Sequence, residues 1–212
     1  MKLKKIASLM LAGVMAVSML TACGNNDKDN GQDGVVIETS STSNAVNNGQ
    51  SENNDVKVTF SPNATLTNLV SQIVTQKGDS ASAADFLSIG VVTGKEYGTL
   101  KTTKYSDNDS LDGTSVTQLY VLAPVTYSAT NNAQPVNEAA AMEMLARRVN
   151  DAVEDLKDSQ DMDSVKVGDK YYAYDYTGEI SDMVTLKKID GTVSYYAVYT
   201  ITQTFDQKTL EK

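Results

Sequence analysis

The chain has 212 residues, 18 Lys+Arg against 27 Asp+Glu, a single cysteine, and neither histidine nor tryptophan. Its net charge of −9 sets it against phosphate backbones, so no nucleic-acid partner is expected. Without histidine there is no Ser-His-Asp or Cys-His centre, no His-containing zinc site and no ordinary neutral-pH general base.

The first element is a leader. Lys2, Lys4 and Lys5 precede an uncharged stretch from Ile6 to Leu20, interrupted by Ser8, Gly13 and Ser18. That is the pattern of a secretory signal, because a membrane span needs about 20 apolar residues. Leu20-Thr21-Ala22-Cys23 follows and resembles the lipobox of bacterial lipoproteins, a likeness covering residues 1–24. The resemblance implies removal of residues 1–22 as a signal peptide and a thioether-linked diacylglyceryl group on Cys23. An acyl chain such as palmitate on the new amino terminus would complete the anchor. It also implies a place on the extracytoplasmic face of the cell membrane, held by two or more lipid chains. The plainer alternative, an ordinary signal beside an incidental Cys23, leaves a secreted protein's lone thiol without a purpose. Taking the three leader lysines from the 18 basic residues leaves 15 against 27 acidic ones, a net charge of −12. The lipid on Cys23 is then the expected attachment, with no basic patch to help it.

Residues 24–55 are rich in Asn, Ser, Gly, Asp and Gln, with five apolar members, Val35, Val36, Ile37, Ala45 and Val46. Such a segment buries too little surface to offset its ordering entropy, so 23–55 is expected to be a disordered tether, about 30 Å root-mean-square in span. Val35-Val36-Ile37 could dock as an edge strand, but a sticky patch in a loose tail is the favoured expectation. Residues 56–212 then form a single domain, large enough for its own core.

Within it, Ser61-Pro62 reads as a helix start, Leu66, Leu69, Val70, Ile73 and Val74 as its apolar face, and Gly78 as its stop. Ser82 to Ser88 suggests a short helix leading into a strand-like run, Ile89 to Val92. Tyr97 to Tyr105 and Val116 to Tyr127 read as a hairpin, with Pro124 requiring an edge or a bulge. Asn137 caps an amphipathic helix running to about Lys157, with Met142, Leu145, Val149, Val153 and Leu156 on its apolar face. Glu143–Arg147 and Arg147–Asp151 are i,i+4 pairs on another face. Lys166 to Thr177, Met183 to Ile189 and Thr192 to Phe205 are strand-like, with Asp190-Gly191 a tight-turn signal. The expected class is therefore α+β: an antiparallel sheet with a long amphipathic helix packed across it, preceded by the tether.

The stretch from Val165 to Tyr171, then Tyr174-Asp175-Tyr176-Thr177-Gly178 and a strand-turn-strand end, resembles the last half of PsbP/Mog1-like lipoprotein domains over about 50 residues. The cystatin/NTF2-like class has a similar plan. The resemblance implies a non-catalytic accessory or binding domain.

Four candidate sites stand out. Seven of the eleven tyrosines lie between Tyr171 and Tyr199, and Tyr172, Tyr174 and Tyr176 share a strand face. They could form an aromatic platform for a glycan, peptide or protein, but cross-strand packing is favoured. Asp107-Asn108-Asp109-Ser110-Leu111-Asp112-Gly113 imitates a calcium loop, but Leu111 occupies a ligand position and Gln118 replaces the closing glutamate. Asp158, Asp161 and Asp163 read as a polar helix exit. Ser106-Asp107-Asn108 matches one penicillin-binding motif without its S-x-x-K and K-T-G partners in the secreted part. No metal, cofactor or catalytic residue is expected. The sequence thus favours a lipid-anchored extracytoplasmic binding domain, with an envelope protein as candidate partner. The alternatives are a carboxylate-dependent cell-envelope hydrolase and a small substrate-binding component of a transporter.

Overall fold

The computed structural model describes residues 34–38, 42–101, 111–127, 137–159 and 170–210. The leader, Cys23, Ser106 to Ser110, Asp161 and Asp163 lie outside the described residues. All described residues belong to one compact unit, Gln32–Lys212.

The spine is a long antiparallel hairpin. Strands β4 (Lys170–Ile180) and β5 (Met183–Lys187) run in succession along one edge of β6 (Val193–Thr209), which turns back on them. Between β4 and β5, Ser181-Asp182 forms a bulge that moves odd-numbered side chains onto the face previously held by even ones. Ser181 satisfies both backbone groups of Val198: its N–H donates to the Val198 carbonyl at 2.9 Å, and its Oγ accepts the Val198 N–H at 3.0 Å. The turn closes with Gly191 N–H on the Lys188 carbonyl and Gly191 at φ +82°. It is a three-residue loop between Lys188 and Thr192, which exchange a backbone bond at 2.9 Å, rather than the two-residue turn suggested by Asp190-Gly191.

Strand β3 (Ser115–Tyr127) pairs antiparallel with the other edge of β6, and its register slips between Leu122 and Val125. Pro124 therefore sits in a bulge, where its missing N–H costs least. On the far side of the hairpin, β1 (Gly34–Glu38) lies antiparallel to β5 and β2 (Thr59–Pro62) lies parallel to β4. The sheet is thus mixed, which corrects the antiparallel expectation. No tight turn joins β2 to β4, so nothing local fixes their relative direction.

The segment expected to be a disordered tether is folded from Gly34 to Glu38 and from Thr42 onward. Helix α1 (Thr42–Asn48) buries Val46 completely in the main core. Two amides, Asn47 of α1 and Gln50 just after it, act as strand surrogates along Val58 to Phe60. Asn47 Nδ2 donates to the Phe60 carbonyl and Oδ1 accepts the Phe60 N–H, at 2.9 and 2.8 Å. Gln50 does the same for Val58, at 2.7 and 2.9 Å. A count of apolar residues misses this, because Asn and Gln are scored as solvated when here they satisfy buried backbone.

Helix α2 (Ala64–Lys77) is capped by Asn63, whose Oδ1 accepts the Leu66 N–H at 3.0 Å. The cap is not Ser61, since Ser61 and Pro62 are engaged in β2. Gly78 ends the helix at φ +52° and leads into a 3-10 turn, Gly78–Ser80. Then come α3 (Ala83–Leu87), capped by Ser82, and α4 (Ile89–Thr93), a helix where a strand was expected. Tyr97 to Lys101 forms no strand; it crosses the edge of β3, held by Gly98 N–H on the Thr117 carbonyl at 2.8 Å.

Helix α5 (Glu138–Glu154) has the expected Asn137 cap and the Glu143–Arg147 ion pair at 3.7 Å. At 17 residues it is about 25 Å long, ending short of Lys157. Leu145, Val149 and Val153 are fully buried against Tyr195, Ala197 and Ile201 on one sheet face. Each such side chain contributes about 1.5–3 kcal/mol of burial. On the opposite face, Val70, Val74, Phe86 and Ile89 pack on Val184, Tyr196 and Val198. The sheet is a middle layer: α1 and α5 on one face, α2 to α4 on part of the other.

Candidate functional site

That partial cover defines the candidate surface. Along β6, Ser194 to Ile201 are all buried, as in a strand covered on both faces. From Ile201 to Asp206 burial alternates, so the second face opens at Thr202. Register places Ser115, Thr204 and Asp175 in one cross-strand row and Thr117, Thr202 and Thr177 in the next. Thr117 and Thr202 share a hydroxyl hydrogen bond at 2.9 Å. Glu179 lies beside this floor and meets Lys95 at 3.5 Å; Asp206 pairs with Lys208. Glu179 and Asp206 thus stand on the strand face with lysine partners.

Since Lys95 directly follows the end of α4, the Lys95–Glu179 pair places that helix along the border of the floor. Val91 is 86% exposed and Val92 68% exposed, with Leu87 of α3 at 54%. A hydroxyl- and carboxylate-bearing floor with an apolar border suits a partner offering polar groups and a small greasy edge. At the far end of the strands, Tyr171, Gln207, Lys208, Thr209 and Leu210 line an open hollow of about 690 Å³.

The tyrosines expected as a possible platform lie on the opposite face, in the core. Tyr172 is 5% and Tyr174 8% exposed, both set edge-on to Phe205 with ring centroids 6.3 and 5.6 Å apart. The Tyr172 hydroxyl accepts the Leu111 N–H at 3.1 Å. The Tyr176 hydroxyl donates to the Lys157 carbonyl at 2.8 Å and accepts from Gln203 Nε2 at 3.0 Å. Gln203, fully buried, also holds both backbone groups of Lys101, at 2.8 and 3.0 Å. Burial pushes the Tyr176 phenol up to about 12, against the opposing pull of the Gln203 hydrogen bond. Tyr199, stacked on Tyr120 at 4.8 Å, is raised first by burial and then by that neighbour. These phenols are held neutral and structural.

Of the acidic loop, Asp112 accepts the Gln207 N–H at 2.8 Å and Gly113 turns at φ +71°. Asp158 offers its carbonyl to Tyr174 and its carboxylate to Ser159. Among the described residues no three His, Cys, Asp or Glu side chains are grouped to hold a metal ion. No described helix is long and apolar enough to cross a membrane. The strand-like run from Thr192 to Phe205 was legible in the sequence; the point at which helical cover stops was not.

No protein-family model, curated protein or solved structure matches the chain.

Proposed function

We propose that the protein is a lipid-anchored extracytoplasmic binding domain, without catalytic activity, that engages an envelope partner through the open half of its sheet. The observation carrying this reading is the pairing of a lipobox-like leader ending in Cys23 with a folded unit that leaves Thr117, Thr177, Thr202 and Asp175 at its surface. The absence of histidine from the chain and the lysine partners of Glu179 and Asp206 support a binding role over acid–base chemistry. The weak likeness of the last strands to PsbP/Mog1-like lipoprotein domains points the same way, by analogy alone.

The address is tested by Cys23→Ala in whole cells. The wild-type chain is expected in the membrane fraction with a mass that includes lipid. The variant is expected either released or retained as the uncut precursor. A variant that stays membrane-bound at the mature mass overturns the assignment.

A further inference from the structure

We infer that the turn between β5 and β6 faces the lipid surface, so that the open half of the sheet, at the other end of the strands, stands away from the membrane; this rests on lipid attachment at Cys23. Three observations carry it. Strand β1 begins at Gly34, which pairs with Lys187, the last residue of β5, so the preceding chain reaches the folded unit at the turn end of the sheet. Only residues 24–33 lie between Cys23 and Gly34. A span of that length reaches at most about 40 Å, less than the roughly 50 Å of β6. The anchor therefore cannot sit beyond the far end of β6 while the unit lies against the bilayer.

The turn itself suits that position. Ile189 is 68% exposed at its tip, flanked by exposed Lys187 and by Lys188. Lys188 is paired with Asp79, and Asp190 accepts the Thr192 N–H at 2.8 Å. The tip thus carries an apolar side chain, and the charges around it balance, Lys187 and Lys188 against Asp79 and Asp190, on a chain that is otherwise strongly acidic. Ile189 can enter the headgroup layer there. The opposite end, with Asp175, Asp206 and the Lys170 terminus of β4, faces outward.

The test uses the lipidated full-length mature chain in phosphatidylglycerol–phosphatidylcholine vesicles. Thioether linkage at Cys23 leaves an introduced cysteine as the sole free thiol. An environment-sensitive fluorophore is placed at Ile189→Cys, Asp175→Cys or Lys208→Cys, all exposed positions, and quenched with spin-labelled lipid. The label at 189 is expected to be quenched about twofold or more above either other position, as a residue at the headgroup boundary would be. Equal quenching at the three positions, or stronger quenching at 175 or 208, overturns the orientation while leaving the anchor intact. A mature chain whose mass carries no lipid overturns the anchor, and the orientation with it.

Discussion

The two halves of β6 are one strand with two different jobs. From Ser194 to Ile201 it is buried throughout, with α5 on one face and α2 and α3 on the other. Beyond Thr202 one face buries Tyr172, Tyr174 and Phe205, with Leu111 packed against them, and the other carries threonine, aspartate and lysine. The covered half supplies most of the core and the open half supplies surface chemistry. Core packing and exposed polar surface are thereby separated along a single strand, so surface residues can change without reaching the core.

The largest break of this contrast is Tyr196→Ala in the covered half. Tyr196 is 1% exposed and packs 6.0 Å from Phe86, so truncation is expected to cost about 3–5 kcal/mol in denaturant unfolding. Gln203→Ala, at the transition, strips Lys101 of its partners for N–H and C=O and is expected to cost about 1–3 kcal/mol. Its further signature is faster hydrogen exchange at Lys101. Thr202→Val, on the open face, is expected to change stability by no more than about 0.5 kcal/mol, while altering whatever binds there. A cost at Thr202 as large as that at Tyr196 would mean that the halves are not distinct.

Alkaline pH acts on both halves together. Tyr196 and Tyr199 in one, and Tyr174 and Tyr176 in the other, all have phenols raised by burial, Tyr176 to about 12. Between the unfolded value near 10 and about 12 the folded chain binds more protons than the unfolded one, so stability is intact below pH 10 and falls as pH rises through that window. The part of the tyrosinate absorbance that comes from these four buried phenols should therefore rise together with unfolding. Ionisation of all the tyrosines near pH 10 in a chain that stays folded would contradict the burial.

What the sequence made legible was periodicity. The apolar face of α5 and its Asn137 cap, the strand from Thr192 to Phe205, and the irregularity demanded by Pro124 all follow from local residue type and spacing. The misses come from interactions across the chain. Asn47 and Gln50 look like tether residues until they meet the backbone of Phe60 and Val58. Ser61 looks like a cap until β4 takes it into the sheet. Ile89 to Val92 reads as a strand because a short apolar run has no intrinsic helical mark; α4 buries Ile89 and leaves Val91 and Val92 exposed. The open face had the same cause: its threonines were visible, but the edge of the helical layer above them was not.

The central claim, that the open half of the sheet is the binding surface, is tested most directly by thiol-directed photocrosslinking on intact cells. Thr177→Cys and Thr202→Cys probe that face, and Glu143→Cys on the exposed side of α5 serves as control. The account predicts a discrete adduct from both open-face positions, abolished by Thr204→Lys and absent from position 143. Adducts of equal strength and pattern at all three positions, or an adduct from position 143 alone, would contradict it.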